Sequence, residues 1–302
     1  MKHPFRICLL VGCLWFTWAT VSSTTPIFAE AGLNVIASIP PQKYFIQKIG
    51  GDRVKVSVMV LPGANPATYE PKPRQMVNLS KAKIYFAIGV PFEDNWLSKF
   101  SKTNAKMMVV ATQSGIKKLP MKPGGHHHDE TQNGHENPVS VTKDPHIWLS
   151  PPLVTVQARN ILDGLVKADP EGQTEYKANY EAFLRELKDL DEKIREELQT
   201  TGPHHKFMVY HPSWGYFART YGLEQIPIEL EGKKPSPRKL LELVQDARKE
   251  GIKVIFVQPQ FSKKSAETIA HAIGGKVVVA DPLAEDWKNN LIQVAAKFRS
   301  AF

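Results

Sequence analysis

Histidines are concentrated in the middle of this chain, in a polar stretch that also carries glycine and asparagine. The histidines of this stretch are His126, His127, His128 and His135. Neutral imidazole is the commonest protein ligand for zinc, and short His-rich tracts are typical of segments that bind a mobile divalent cation. A solvated polar loop has the same composition, so the rest of the chain must show whether a metal site accompanies the stretch.

Three residues outside this stretch have the chemistry of metal ligands. His211 and Asp281 each follow a short apolar run that predicts a β-strand. Ligands of open α/β sheets bind beyond the carboxyl ends of the strands, so both side chains should lie on one edge of one sheet. His146 lies two residues after Asp144, whose carboxylate can orient a metal-bound imidazole. Taken alone, Asp281 would be interpreted as a helix cap and His211 as a hydrogen-bonded core residue.

The N-terminal segment predicts export from the cytoplasm. Lys2 and Arg6 precede an apolar core of at most fifteen residues, and Ala29 ends an acceptable cleavage site. A membrane-spanning helix needs about 20 apolar residues, and no later segment is long and apolar enough. We therefore expect residues 1–29 to be a signal peptide and the mature protein to be periplasmic. Lipid anchoring at Cys13 is the alternative, although the apolar run continues beyond this cysteine, where a lipoprotein normally becomes polar.

Both cysteines of the chain, Cys8 and Cys13, lie inside the predicted signal peptide. Cleavage after Ala29 would leave 302 − 29 = 273 residues without a thiol, so nitrogen and oxygen must hold any metal. Loss of Lys2 and Arg6 would reduce the net charge from +9 to +7. Export, and the scattering of Lys and Arg among glutamates, argue against a nucleic-acid partner.

Short β-branched runs alternate with amphipathic helices along the chain, and this order predicts parallel sheets. The predicted strands are 35–39, 54–60, 84–88, 107–111, 207–210, 226–230, 254–257 and 277–280. The predicted helices are 42–49, 74–82, 92–100, 151–167, 173–198, 237–249, 263–273 and 285–298. The predicted fold class is α/β, with two lobes that each contain a parallel four-stranded sheet flanked by helices. The lobes would comprise residues 30–170, including the His-rich loop 124–137, and residues 201–302, joined by one long connecting helix within 171–200.

Six segments of the chain resemble those of the zinc- and manganese-binding receptors of bacterial ABC metal importers. These segments are 61–71, 144–151, 210–217, 235–237, 257–261 and 280–283, and the resemblance covers the mature chain. It implies metal ligands at His146 from the first lobe and at His211 and Asp281 from the second. It also implies delivery of the cargo to an inner-membrane ABC permease. A histidine at position 211 and a His-rich loop resemble the zinc members, whereas manganese members tend to carry a carboxylate there.

The chain departs from the family pattern at one ligand position. The family's first ligand is a histidine in a Gly-x-x-Pro-His-x-Tyr-Glu-Pro loop, where this chain has Ala67. Lys234 and Gln258 also stand where the pattern usually shows glutamates. Three ligands would remain, and the fourth position of zinc would be filled by water, a loop histidine or Glu70. Of these, Glu70 is better interpreted as a structural carboxylate that bonds to nearby backbone.

The predicted function is a monomeric, periplasmic solute-binding protein that captures Zn²⁺ and delivers it to an ABC permease. Mn²⁺ or another divalent transition metal is the alternative cargo, because the affinity order of these ions is set largely by the metals themselves. The alternative function is a periplasmic zinc buffer or chaperone that acts through the His-rich loop. An open three-ligand zinc would also suit a hydrolase. We expect no enzyme, because the chain has neither a His-Glu-x-x-His motif nor a Gly-x-Ser-x-Gly elbow.

Overall fold

The structure of the protein is a computed structural model, which describes residues 32–121, 143–199, 205–229 and 232–302. The predicted signal peptide lies outside these residues, and so do His126, His127, His128 and His135 of the His-rich stretch. Within the described part of the chain, no helix combines the length and the apolarity that a membrane crossing needs.

The first lobe is built on a parallel sheet of four short strands. Its strands are β1 (Leu33–Ala37), β2 (Val54–Val58), β3 (Ile84–Ala87) and β4 (Met108–Ala111), and its helices are α1 (Pro40–Gly50), α2 (Pro73–Leu79), α3 (Pro91–Thr103) and α4 (Pro151–Ala168). The strand order is β2-β1-β3-β4. Strand β3 is buried along its whole length, as expected in a parallel sheet with covered faces. Each of these helices begins with a proline, whose missing N–H has no intrahelical partner to lose at that position.

The second lobe repeats this plan with a second parallel sheet. Its strands are β5 (Lys206–Val209), β6 (Glu224–Pro227), β7 (Val254–Val257) and β8 (Lys276–Val279), and its helices are α6 (Gly215–Tyr221), α7 (Pro237–Lys249), α8 (Lys264–Ile273) and α9 (Trp287–Arg299). The strand order is β6-β5-β7-β8. In each sheet the first strand pairs with the second on one side and with the third on the other. Such a switch in winding direction opens a crevice beyond the carboxyl ends of the strands.

One long helix, α5 (Gln173–Gln199), connects the lobes. Its 27 residues extend for about 40 Å, and it packs on α1 and α4 of the first lobe and on α9 of the second. Its buried residues recur at helical spacing and are Tyr176, Phe183, Leu187, Leu190, Ile194 and Leu198. Next to this helix, Phe45 of α1 forms an edge-to-face contact with Trp287 of α9, with 4.8 Å between ring centroids. The two lobes therefore share one apolar core.

The predicted fold class is confirmed, and the long helix is found where its periodicity predicts it. The strands differ from the prediction mainly at their ends. Strand β2 ends at Val58 because Met59 and Val60 leave the ladder and bond to the backbone at the end of β1. Strand β6 begins two residues before its predicted start, with polar residues, and ends at Pro227, which suits an edge strand. The predicted domain boundaries stay predictions.

Candidate metal site

His146 lies at the start of the short segment that leads into α4. Its backbone N–H donates to Oδ1 of Asp144 at 2.9 Å, and its ring Nδ1 lies 2.7 Å from the same oxygen. The carboxylate thereby selects the tautomer with the proton on Nδ1 and leaves the lone pair of Nε2 for a metal ion. Only 8% of the His146 residue is exposed, so its ring lies at the edge of the core.

Burial lowers the pKa of His146 below its ordinary value, and the neighbouring Asp144 carboxylate opposes that effect only in part. The charged imidazolium is disfavoured because the surrounding protein replaces its hydration shell. The neutral form that can ligate a metal is therefore the form that the fold favours.

His211 follows β5 at the carboxyl edge of the second sheet. Its ring Nδ1 is hydrogen-bonded to the buried carboxylate of Glu229, and its ring stacks on Phe261 with 4.8 Å between centroids. The buried amide of Gln258 holds its backbone by accepting the His211 N–H at 3.1 Å and donating to the His211 carbonyl at 2.7 Å. The same amide donates to Ser213 Oγ at 3.0 Å. Both the ring and the main chain of His211 are thus held in place.

The two histidines meet although they come from different lobes. Their ring centroids are 5.2 Å apart and the rings are inclined by 71°. Each ring has its Nδ1 turned to a carboxylate, which leaves Nε2 as the free ligand atom in both. Two nitrogens on one tetrahedral zinc are roughly 3.3 Å apart, given Zn–N bonds of about 2.0 to 2.1 Å. Because each ring centroid lies behind its Nε2, ring centroids 5.2 Å apart are compatible with two nitrogens that bind one ion.

Asp281 follows β8 on the same sheet edge as His211. Its Oδ1 accepts from Gln260 Nε2 and from the backbone N–H of Leu283, both at 2.9 Å. Among the described residues, no hydrogen-bond donor contacts its second oxygen, Oδ2. The indole N–H of Trp148, two residues after His146, donates to the carbonyl of Pro282 at 2.7 Å. The segments that carry His146 and Asp281 are therefore hydrogen-bonded to each other.

The structure brings two of the predicted ligands together and does not assemble a complete site. Within the described residues, no group of three or more His, Cys, Asp or Glu side chains is close enough to hold a metal ion. His146 and His211 form a pair. Asp281 is not part of this pair, although it lies on the same edge of the second sheet as His211. The assignment of all three as metal ligands stays a prediction.

Ala67 and Glu70 lie in the loop between β2 and α2. Ala67 is exposed, and its N–H donates to Oδ1 of Asn65 at 2.9 Å, so a local turn shapes its backbone. Buried Tyr69 anchors the loop by packing edge to face on Phe92. Glu70 is exposed and forms no hydrogen bond or ion pair with another described residue. Within the described part of the chain, its carboxylate therefore has no hydrogen-bond or ion-pair partner.

Sequence reasoning did not single out Glu229 and Gln258 as supports of His211. Glu229 interrupts an apolar run just beyond β6, and this strand-end position is the signal that could have identified it. Gln258 was noted only as a departure from the family pattern. Neither its burial nor its contact with the backbone of His211 can be read from neighbouring residues, because 47 positions separate them.

Tyr216 of α6 ties together the two ends of the segment that contains the His-rich stretch. Its hydroxyl accepts from the N–H of Leu119 at 2.8 Å and donates to the carbonyl of Asp144 at 3.0 Å. The N–H of Asp144 also donates to the carbonyl of Leu119 at 2.8 Å. Leu119 and Asp144, which lie on either side of residues 122–142 in the sequence, are therefore held together next to the carboxylate that orients His146.

Residues 35–298 match the protein family described as zinc-uptake complex component A, periplasmic (ZnuA). The chain is 29% identical over 296 residues to the zinc-binding protein AdcA of Streptococcus pyogenes serotype M3, a match that covers 94% of this chain and 56% of AdcA. It is 28% identical over 280 residues to the high-affinity zinc uptake system protein ZnuA of Bacillus subtilis, covering 91% of this chain and 87% of that protein. The chain thus spans about half the length of its AdcA relatives.

Solved structures of ZnuA are similar to this fold. A crystal structure of ZnuA has a TM-score of 0.81 and 44% sequence identity, and the match covers 89% of this chain and 99% of that chain. A zinc-bound deletion mutant of ZnuA has a TM-score of 0.80 and 46% identity, covering 89% of this chain and 98% of that chain. Because nearly all of each solved chain is covered, the likeness includes both lobes and the connecting helix.

Proposed function

Because the chain belongs to the family of periplasmic zinc-uptake complex component A, we propose that it captures Zn²⁺ and delivers it to an inner-membrane ABC permease. The observation that carries this proposal is the pairing of His146 and His211 across the lobes, each with its Nδ1 turned to a carboxylate. The relatives AdcA and ZnuA are named for zinc binding and zinc uptake.

In this proposal, His146 and His211 supply imidazole nitrogen and Asp281 supplies a carboxylate oxygen. Such a set suits zinc and its first-row neighbours better than Mn²⁺, which prefers oxygen ligands. Mn²⁺ or another divalent transition metal remains the alternative cargo. The fourth position of a tetrahedral ion would be filled by water, by a histidine of the His-rich stretch, or by Glu70. Glu70 has no hydrogen bond or ion pair with another described residue that it would have to break before it binds a metal.

The connecting helix bears on how the ion would be released. Helix α5 packs on both lobes, and the ion pair of Lys43 with Glu285 joins α1 to the loop before α9. Wide separation of the lobes would break this shared core. We therefore expect release to involve local rearrangement of the loops around the histidines, with the lobes staying together.

Two alternatives make different predictions. A zinc buffer or chaperone would bind metal through His126, His127, His128 and His135 alone, without the pair between the lobes. A zinc hydrolase is not supported, because members of the family are described as components of an uptake complex.

We further propose that the protein is a monomer located in the periplasm. Lipid anchoring at Cys13 is the alternative, and one relative, from Streptococcus pneumoniae, is named a zinc-binding lipoprotein.

Zinc titration against a competing chelator tests the proposed function. The wild-type chain should show one tight site, and replacing both His146 and His211 by Ala should abolish that site while the fold is retained. His271→Ala is the matched control, because this exposed histidine of α8 lies away from the pair. Tight one-site binding that survives in the double variant would contradict the proposal and favour the buffer.

A further inference from the structure

Gln260 lies in the loop between β7 and α8, at the same edge of the second sheet as His211 and Asp281. Strand β7 lies between β5, which leads to His211, and β8, which leads to Asp281. The side-chain Nε2 of Gln260 donates to Oδ1 of Asp281 at 2.9 Å, and the next residue, Phe261, stacks on the ring of His211. One loop therefore contacts two of the candidate ligands.

The orientation of the Gln260 amide is set by the carboxylate of Asp281. The amide oxygen, Oε1, is buried and has no hydrogen-bond partner among the described residues. Turning the amide over would place this oxygen against the carboxylate, and two acceptors cannot form a hydrogen bond. A buried acceptor without a donor lowers stability, so a contribution to folding does not explain this arrangement. It does supply a neutral N–H donor to Asp281.

The two donors that contact the Asp281 side chain share one of its oxygens. Besides the bond from Gln260, Oδ1 accepts the backbone N–H of Leu283 at 2.9 Å, which closes a local turn. Each carboxylate oxygen offers about two lone-pair sites, so both sites of Oδ1 are occupied. The second oxygen, Oδ2, accepts from no donor within the described residues. Only Oδ2 of Asp281 is therefore open to a metal ion.

The number of oxygens that Asp281 offers bears on which ion fits. A carboxylate that binds through one oxygen adds one ligand, whereas a bidentate carboxylate adds two. With His146, His211 and one oxygen of Asp281 bound, one further ligand completes the tetrahedron that zinc prefers. Mn²⁺ prefers an octahedral arrangement of oxygen ligands, so a second oxygen from Asp281 would favour Mn²⁺ over zinc.

We propose that Gln260 sets the metal preference of the site by holding Asp281 as a ligand through one oxygen. This inference rests on the proposed function, since it assumes that Asp281 binds the transported ion. Gln260 does not touch the ion and acts through Asp281, so it is a positioning residue. Loss of its N–H would free a lone-pair site of Oδ1 and would let the carboxylate bind through both oxygens.

Gln260→Met tests this role, because methionine is an unbranched, flexible side chain that removes the donor. The matched control is Gln225→Met, at a half-buried glutamine in strand β6 of the same sheet. Gln225 holds the loop between β5 and α6 by accepting the N–H of Trp214 at 3.1 Å and donating to the carbonyl of Pro212 at 3.3 Å. Both variants lose hydrogen bonds near the site, but only Gln260→Met loses one to Asp281.

The affinities of each protein for Zn²⁺ and Mn²⁺ are measured by competition with chelators, and denaturation verifies the fold. The ratio of zinc affinity to manganese affinity should fall at least about tenfold in Gln260→Met and stay within about twofold of the wild type in Gln225→Met. Added to Asp281→Ala, the Gln260→Met change should leave the ratio unaltered, because Gln260 acts only through this carboxylate.

The visible absorption of bound Co²⁺ reports the number of ligands directly. Four-coordinate Co²⁺ absorbs more strongly than six-coordinate Co²⁺, so the bands should weaken in Gln260→Met and stay unchanged in Gln225→Met. A change in ligand number would not follow from a merely structural role of Gln260. Gln260→Leu, which also lacks the donor but has a different shape, replaces Gln260→Met if the latter does not fold.

Equal weakening of zinc and manganese binding in Gln260→Met, with an unchanged Co²⁺ spectrum, would overturn the proposal, because Gln260 would then only support its loop. A fall in the ratio that persists in the Asp281→Ala background would overturn it as well. Absence of a tight zinc site in the wild type would count against the proposed function itself. A tight zinc site with an unaltered ratio in Gln260→Met would refute the role of Gln260 alone.

Discussion

His146 and His211 lie in different lobes, and each ring is held by a hydrogen bond to a carboxylate. Each ring turns Nδ1 to a buried or nearly buried carboxylate, Asp144 in the first lobe and Glu229 in the second. A carboxylate in this position fixes the tautomer and orients the ring. If the pair binds a metal ion as proposed, both rings are already oriented in the metal-free chain.

Ala67 is a second single residue of interest, because it occupies the position where the family pattern has a ligand histidine. Replacing Ala67 by His should supply a fourth ligand and tighten zinc binding by at least about tenfold, or ~1.4 kcal/mol. Ala67 is exposed in a loop anchored by Tyr69, so the larger side chain meets no steric barrier in the core. Competition titration with a zinc chelator measures the change.

Ala105→His is the control for this substitution, because the exposed Ala105 precedes β4 at the opposite edge of the first sheet. It should leave the affinity of the tight site unchanged. A loss of affinity in Ala67→His, or an equal gain in both variants, would show that the loop does not direct residue 67 toward the histidine pair.

At the scale of elements, two tryptophans connect the segments that carry the candidate ligands. The indole of Trp148 donates to the carbonyl of Pro282, and the indole of Trp287 donates to the carbonyl of Trp148 at 2.8 Å. Both tryptophans are buried. The first helical turn after His146, the loop of Asp281 and helix α9 are therefore linked by buried hydrogen bonds.

Trp148→Phe should reduce both stability and zinc affinity. The substitution removes the donor to the buried Pro282 carbonyl, and an unsatisfied buried acceptor costs about 1 to 3 kcal/mol. Chemical denaturation should show this loss, and zinc affinity should fall by roughly tenfold because Asp281 loses its connection to His146. Trp96→Phe, in a half-buried position on α3, should change neither quantity by more than about 1 kcal/mol. Unchanged zinc affinity in Trp148→Phe would show that the hydrogen bond from Trp148 to Pro282 does not contribute to metal binding.

For the molecule as a whole, burial of His146 links stability to pH. The unfolded chain binds a proton at this histidine near its ordinary pKa of about 6.5, whereas the folded chain resists protonation because burial lowers the pKa. The unfolded state therefore takes up more protons as the pH falls. The contribution of His146 to the free energy of unfolding is therefore fully present above about pH 6.5. Below that pH the free energy of unfolding decreases by at most about 1.4 kcal/mol per pH unit because of this group.

Denaturation of the metal-free protein between pH 7.5 and about 5 measures this dependence. The variant His146→Leu should lose less stability on acidification than the wild type, because its side chain cannot titrate. Bound zinc should be released over the same range, since protons compete for the imidazoles. Equal slopes for the two proteins would show that His146 is as accessible to protons in the folded chain as in the unfolded one.

Much of the fold could be predicted from local patterns. The helical periodicity of α5 spans several turns, and the β-α alternation of each half leaves a parallel sheet as the natural arrangement. Strand-end placement singled out His211 and Asp281, and the neighbouring Asp144 drew attention to His146. These features depend on residues close together in the chain, which is why sequence alone is sufficient for them.

The supports of the site depend instead on contacts between distant residues. Glu229 reaches His211 across 18 positions, Gln258 holds its backbone across 47, and Trp148 reaches Pro282 across 134. Packing of two lobes on one long helix decides these contacts, and no local pattern encodes them. The sequence by itself therefore determined the α/β class, the connecting helix and the histidines that could hold a metal. Only the tertiary structure decided that His146 and His211 meet, because their approach results from burial of a core that the two lobes share.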